Sequence, residues 1–327
     1  MKITKESRIV EVFSKDLLKA EVDKKEVKDA NEYIQELASN PNPNNRYEIG
    51  QILQYVIDEG LTQRLQYVEQ IADVKNTGMG EKAQFKIEVD GLKAFFQAKS
   101  STTERSKISN KYVTLDTDEV SIRPVVNFYE LQTGKVDFNR IASQAITQME
   151  LKIVKRIQDA VYAAFSALST PNYASGAGLV KGTFDPIFNA MMRIAGSVAI
   201  VGDIEALSKF TALTGFSNRV PDAYMVEHNQ NGMIGQYLGG QLIKLNNPFQ
   251  VNSLTQTELR RDLIYVIPNG VPELRPIKVQ FEGGVQNIDS QININSKEME
   301  MRFDQYVGVG AVGVRKLMGV YEDTTLA

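Results

Sequence analysis

The sequence predicts an α+β fold with one helix far longer than the others. Three observations carry that reading. Two separated segments alternate apolar and polar residues with a period of two, the mark of half-exposed strands. Between Asp137 and Leu168, apolar side chains recur at spacings of three and four, which over about 32 residues makes a helix of roughly 48 Å. Beyond it, short apolar runs alternate with capped helical runs, the pattern of a separate α+β unit.

Composition bounds the function before any motif does. With 327 residues, the chain can bury a sizeable core and carry a second domain or a long extension. Hydrophobic residues make up 43% and charged residues 24%, as in an ordinary folded protein. The net charge of -3, from 37 basic and 40 acidic side chains, disfavours a protein whose main work is reading DNA. There is no cysteine, so disulfides and thiolate metal sites are excluded and a reducing cytosol is the expected place of synthesis. No apolar run reaches membrane-spanning length, and the N-terminal MKITKESRIVEVF has no signal-peptide block. His228 is the only histidine. It sits among turn-formers in PDAYMVEHNQNG, so triads and histidine-rich metal sites are excluded and it receives no role.

Residues 1–75 are rich in interleaved charge. Between Lys2 and Asp29, eight basic and seven acidic residues alternate irregularly, as on solvated helices or a loose arm. NPNPNN (Asn40 to Asn45) is a breaker, after which Ile49, Ile52, Leu53, Val56 and Ile57 predict a short amphipathic helix. Two readings stand for this region, an N-terminal helical subdomain and an arm that packs on neighbouring subunits.

Residues 76–133 predict a long two-stranded excursion. Phe85, Ile87 and Val89 alternate with Lys86, Glu88 and Asp90, and Gly91 permits a turn. Leu92, Phe95 and Phe96 form an apolar cluster before the polar SSTTERSKISN, and Val120, Ile122, Pro124, Val126 and Phe128 alternate again. A lone hairpin is marginal in water, so this one needs a surface to lie on. That surface is a neighbouring subunit or the chain's own body. Phe85, Leu92, Phe95 and Phe96 are therefore candidate subunit-contact residues.

Asp137 is placed to cap the long helix, and Thr170-Pro171 to end it. Its stripe is Ala142, Ile146, Met149, Ile153, Ile157, Ala160, Ala164 and Leu168, with Glu150, Lys152, Lys155, Arg156 and Asp159 opposite. No second helix of similar length is evident, so it is expected to lie alone across a sheet.

Residues 185–295 read as the α+β unit. Asp185-Pro186 is expected to open a helix closed at Gly196, followed by the strand SVAIV, the Asp203 cap and a helix closed by Gly215. GMIGQYLGG, QLIKL, LIYVI and IKVQF follow, and Met299, Met301 and Phe303 alternate with charge near the C-terminus. Gly232 and Tyr237, within GMIGQYLGG, complete the candidate contact residues.

Enzyme-like motifs are weak. GVGAVG (Gly308 to Gly313) fits a dinucleotide-binding pattern, but only 14 residues follow it, too few for the second strand of a βαβ unit. Close backbone packing is the favoured role of these glycines. The oxygen-rich run Asn287, Asp289, Gln291, Asn293, Asn295 and Glu298 has Ile292 where a calcium loop needs glycine. No phosphate loop or nucleophile elbow occurs. The chain is expected to have no catalytic residue, no metal and no cofactor.

The order of elements resembles the Hong Kong 97 fold of tailed-bacteriophage major capsid proteins. NFYELQTGKVDFNRIASQAITQMELKIVKRIQDAVYAAFSAL looks like the lead-in and spine helix of that family. SVAIVGDIEALSKFTALTGF resembles its axial-domain strand, turn and helix, GMIGQYLGGQLIKL the next helix and strand, and LIYVIPNG a later strand and turn. The resemblance runs from about Thr77 to Leu317. It implies an N-terminal arm (1–75), an extended β-hairpin loop (76–133), and a peripheral domain with the spine helix (134–184). An axial domain (185–295) and a C-terminal strand returning to the peripheral domain (296–327) complete it. It further implies pentamers and hexamers of the chain in an icosahedral shell around double-stranded DNA. A separate scaffolding protein and a portal are the implied partners, and the virion, after synthesis in host cytoplasm, the location. An encapsulin-like nanocompartment shell is the alternative, and a dinucleotide-dependent enzyme using Gly308 to Gly313 a remote one.

Overall fold

In a computed structural model, the described residues between Lys5 and Ile71 make a packed helical layer. The structure describes residues 5–17, 23–40, 42–90, 109–166, 168–213, 234–250, 253–269, 275–293, 298–312 and 318–326. Helices α1 (Lys5–Leu17), α2 (Lys24–Ser39), α3 (Pro43–Arg64) and the single turn α4 (Val68–Ile71) come first. Asp23 opens α2 by accepting the Lys25 N–H at 2.9 Å, and Asn42 opens α3 by accepting the Asn45 N–H at 2.8 Å. Phe13, Ile34, Ile52, Leu53, Val56 and Ile57 are buried in the main core. These helices therefore pack on the chain's own core. The interleaved charges occupy solvent faces, as in the Lys15–Glu11 and Lys28–Glu32 pairs, while apolar residues three and four apart line the inner ones.

Next come β1 (Asp73–Thr77), β2 (Gln84–Asp90), β3 (Ser109–Thr114), β4 (Asp118–Ile122), β5 (Val125–Asn127), α5 (Phe128–Gln132) and α6 (Phe138–Phe165). The rest supplies β6 (Tyr173–Gly176), α7 (Lys181–Ala195), β7 (Val198–Gly202), α8 (Ile204–Ser208), β8 (Gln236–Tyr237) and β9 (Gly240–Lys244). Strands β10 (Leu263–Pro268), β11 (Ile277–Asn293), β12 (Glu298–Ala311) and β13 (Gly319–Asp323) complete it.

Three sheets result. A five-stranded sheet runs β1-β11-β12-β4, with β5 also on β12; a six-stranded sheet runs β6-β13-β10-β7-β9-β8; β2 and β3 pair apart as a ribbon. Several expectations change here. The partner of Phe85 to Val89 is the polar β3, whose SNKYVT carries little apolar alternation. The apolar 120–128 segment joins β12 instead and then opens α5 at Phe128. IKVQF belongs to the five-stranded sheet, and the chain's last strand, β13, enters the six-stranded one. GMIGQYLGG makes no helix at 236–240. Leu238 and Gly239 take positive φ of 47° and 86°, the mirror-image turn that closes a tight β8–β9 hairpin. Helix α7 starts at Lys181, so Asp185 and Pro186 lie inside it, and Asp185 accepts the Tyr237 hydroxyl at 2.8 Å.

Asp137 caps α6 as expected, accepting the Asn139 N–H at 3.0 Å, and the helix runs 28 residues. It does not lie alone. Helix α3, with 22 residues, packs beside it. At Gly60 a Cβ would come within 2.5 Å of Ile146 Cδ1, so the two helices touch where α3 has no side chain. Glu150 is buried between them, with Arg64 at 3.6 Å. Burial pushes its carboxyl above the usual range, against the pull of Arg64 and of the Tyr67 hydroxyl. The far end of α6 meets the six-stranded sheet through the buried amide of Gln158. Its Nε2 donates to the Arg260 carbonyl at 3.1 Å and its Oε1 accepts the Arg260 N–H at 2.8 Å.

The six-stranded sheet is covered on both faces. Ala199 and Val201 of β7 face the core shared with α6, and Val198 and Ile200 face a second core with Phe184, Phe188, Phe210, Tyr237 and Tyr321. At its edge Asp323 is buried, accepting from Lys209 at 2.6 Å, the Thr325 hydroxyl at 2.6 Å and the Gly178 N–H at 2.9 Å. Burial alone would push this carboxyl up, but those donors outweigh it and hold it below its usual value of 3.8.

Two predictions follow from this packing. Ile153 is fully buried and Lys152 exposed, so Ile153→Asp should cost about 4 kcal/mol or more, and Lys152→Asp under about 0.5 kcal/mol, in urea unfolding. Asp323 has a depressed folded-state pKa, so its contribution is present above pH 3.8 and lost as pH falls through the folded value. Asp323→Asn should therefore lower stability by about 2 kcal/mol at pH 7. The gap to the parent chain should narrow in acid, as followed by thermal unfolding at several pH values.

Candidate functional site

The β2–β3 ribbon pairs apart from both larger sheets, and its base carries a dense set of polar contacts. Strand β11 makes that base possible. Ile277, Val279 and Phe281 point at the helices, so Lys278, Gln280 and Glu282 line the opposite face. The ribbon's legs, residues 77–85 and 114–117, cross that polar face.

Gln280 is fully buried there. Its Oε1 accepts the Ala83 N–H at 3.2 Å, and its Nε2 donates to Thr77 Oγ1 at 3.0 Å and the Glu81 carbonyl at 2.7 Å. Glu282 takes both legs, accepting the Gly80 N–H at 2.7 Å and the Thr117 hydroxyl at 2.7 Å. Those two bonds, hydroxyl first, hold its carboxyl below the usual range. Lys82 and Asp116 pair across the legs at 2.6 Å, and Lys75 donates to the Gln84 carbonyl at 2.6 Å.

Beneath them lies a small apolar plug of Ala83, Phe85 and Leu115. The Phe85 ring has the Lys75 ammonium 5.1 Å and the Lys278 ammonium 6.0 Å from its centroid. Lys278 is buried and paired with Asp73, its register partner on β1, at 2.9 Å. The glycines of GVGAVG explain how the plug fits. A Cβ on Gly310 would lie 2.6 Å from Leu115 Cδ2, and one on Gly308 3.1 Å from the Asp116 carbonyl oxygen. Both are paired residues inside β12, opposite Lys278 and Gln280, and open no helix. Close packing, the role favoured from the sequence, is what Gly308 and Gly310 serve here; Gly313 lies outside the described residues.

The candidate contact residues separate cleanly. Phe85 is buried in its own chain, because its side of the ribbon faces β11. Tyr237 is likewise buried, its ring among Phe184, Phe188 and Phe210. Leu92, Phe95, Phe96 and Gly232 lie outside the described residues, as does His228. Asn287 to Asn293 are extended in β11, not looped around an ion, and the described residues hold no cluster of metal-ligating side chains. No helix among them is long and apolar enough to cross a membrane. Sequence reasoning missed Gln280 and Glu282. Their signal was the polar half of the alternation in IKVQFE.

With this geometry in view, the comparisons speak to identity. The family model described as "SPbeta prophage-derived putative capsid protein YonB" matches residues 1–322. No curated protein matches the chain. Among solved structures, a chain of Mycobacterium phage Adephagia matches with TM-score 0.52 at 11% identity, covering 78% of this chain and 89% of its own. The head structure of Helicobacter pylori bacteriophage KHP40 matches with TM-score 0.51 at 11% identity, covering 78% and 88%. A virus-like particle from Pyrococcus furiosus matches with TM-score 0.50 at 10% identity, covering 83% and 97%. At such identities the likeness shows the fold, which is the Hong Kong 97 type expected from the sequence.

Two outcomes test the glycine reading. Gly310→Val should press on Leu115 and lower stability by about 1–3 kcal/mol. Calorimetry with nicotinamide and flavin dinucleotides should show no binding heat, and a micromolar dissociation constant would overturn the packing role.

Proposed function

The chain belongs to the YonB family of prophage capsid proteins, and from that membership we propose that it is the major capsid protein, assembling as pentamers and hexamers into an icosahedral head around double-stranded DNA. A separate scaffolding protein and a portal are its proposed partners, the virion its destination and the host cytoplasm its place of synthesis. Its role is structural, with no catalysis and no cofactor. In this reading, the five-stranded sheet with α6 forms the peripheral part of each subunit and the six-stranded sheet the axial part. The ribbon β2–β3 is the arm that joins subunits.

The observation that carries the reading is this ribbon. At about 3.3 Å per residue, the seven residues of β2 extend some 23 Å. The base of the ribbon packs on its own body by Ala83, Phe85 and Leu115. Tyr112 is 59% exposed on its outer side. A two-stranded ribbon gains independent stability only against another surface, and repeated contacts of that kind around closed axes build shells. The net charge of -3 suits enclosure of DNA without sequence reading. The likeness to the virus-like particle keeps the nanocompartment alternative in play. Prophage family membership favours the genome container, and co-purification of a cargo enzyme instead of DNA would favour the other.

Expressed alone or with its scaffolding protein, the chain should form capsomers, tubes or shells under electron microscopy. A species that stays monomeric at high concentration under all such conditions would overturn the proposal. Replacing residues 88–110 by a short glycine-serine turn keeps Phe85 and the base intact. The shortened chain should stay soluble, unfold cooperatively and lose shell assembly.

A further inference from the structure

The geometry points to Gln280 as a positioning residue that sets the direction in which the ribbon leaves the body, and so the spacing of neighbouring subunits. The inference rests on the reading of β2–β3 as the arm that joins subunits, and adds which residue aims it.

Gln280 is buried to zero exposure on the face of β11 turned away from the main core. An amide in such a place has to be satisfied by hydrogen bonds, since each unmet donor or acceptor costs about 1–3 kcal/mol. Three hydrogen bonds of its amide go to the segment leading into β2, to Thr77, Glu81 and Ala83. Three contacts to three residues within seven positions fix the path of that leg, not merely its attachment. Thr77 in turn donates to the Glu81 carbonyl at 3.0 Å, closing the turn on itself.

The second leg is held to the same strand. Glu282, two residues along and on the same face, accepts from Gly80 on the incoming leg and Thr117 on the outgoing one. The plug residue Leu115 stands against Gly310, so the outgoing leg has no room to shift toward β12. Glu282 is reached by solvent and its bonds can be replaced by water; those of Gln280 cannot. A lever some 23 Å long magnifies any error at its base. A tilt of about 10° there moves the far end of β2 by roughly 4 Å, enough to miss a packed contact. Buried polar groups are a known means of choosing one geometry among several of similar energy.

The test uses the full chain and Gln280→Met, which keeps the length and volume of the side chain and removes its hydrogen bonds. Amide exchange should quicken about tenfold at Ala83 and along β2 and β3, while the amides of α6 and β10 keep the parent rates. Co-expressed with the scaffolding protein, the variant should give tubes or shells of mixed diameter where the parent gives one size. Glu282→Gln, as the solvent-replaceable partner, should keep the parent diameter. Unchanged exchange at Ala83 would overturn the inference, as would quickened exchange with shells of the single parent size. If the variant's core amides also quicken, Thr77→Val, which removes one acceptor of the Gln280 amide by a change outside β11, carries the same expectation, and single-size shells from it would overturn the inference. Failure of the parent reading looks different, because the chain lacking residues 88–110 would then assemble normally.

Discussion

Burial of α6 on more than one side is the constraint on which the rest of this structure depends. An amphipathic helix on a surface hides one stripe; α6 hides Met149, Glu150 and Leu151 in succession, an arc of about 200° at 100° per residue. Helix α3, the five-stranded sheet and the six-stranded sheet each take part of that surface. The two sheets therefore share one continuous core although their strands never pair. The polar residues caught inside are each answered from a different neighbour, Glu150 by Arg64 of α3 and Gln158 by the backbone of Arg260 beside β10. Such bonds add little net energy, but leaving either group unmet would be costly, so they select one placement of the helix.

That body is a platform, and the ribbon is mounted on its polar side. The contrast between the two faces of the five-stranded sheet is chemical. One face carries Val279, Met299, Met301 and Phe303 against helices. The other carries Lys278, Gln280, Glu282, Arg302 and Asp304, a set that a solvent-facing sheet would display freely. Here Lys278, Gln280 and Asp304 are almost wholly covered. For Lys278 and Gln280 the cover is the ribbon base, and the ion pair to Asp73 and the amide bonds are what make covering them tolerable. A shell subunit needs an extension that is firm at its root and available beyond it, and this arrangement supplies the root.

Much of the body was legible in the sequence because its signals are local. The Asp137 cap and three-four stripe placed α6 with an error of a few residues at its C-terminal end. The Asp203 cap, the strand SVAIV and the alternation Met299, Met301, Phe303 stood where the structure has them. The failures are of two physical kinds. Some local signals misled: the stripe from Ile49 to Ile57 predicted a short helix, where α3 runs 22 residues and on through Gly60, which its contact with α6 needs. The interleaved charge left solvated helices and a loose arm both open, and in the structure it lies on the wet faces of α1 and α2. Other features have no local signal at all. That β1 runs parallel to β11, or that β13 slots between β6 and β10, is a matter of distant partners. The contact residues show both limits. Phe85 stood out as apolar on a ribbon, yet its burial within the same chain depends on Leu115 and Lys278 far away in sequence.

The glycines of GVGAVG illustrate how one pattern serves two physical ends. A dinucleotide site uses missing side chains to bring backbone close to phosphate; here Gly308 and Gly310 bring β12 close to the outgoing leg of the ribbon. What decides is the group standing opposite, and that group is Leu115. The same strand pair then joins two tasks that could have been separate. On β11, residues 277, 279 and 281 close the core while residues 278, 280 and 282 hold the ribbon. Because side chains alternate with a period of two, a slip of one residue would exchange the sets, putting Lys278 and Glu282 into the core and Val279 under the ribbon. The hydrophobic pattern that enforces core register thus also enforces the root of the ribbon. A subunit that has sealed its core has, by the same register, aimed its extension.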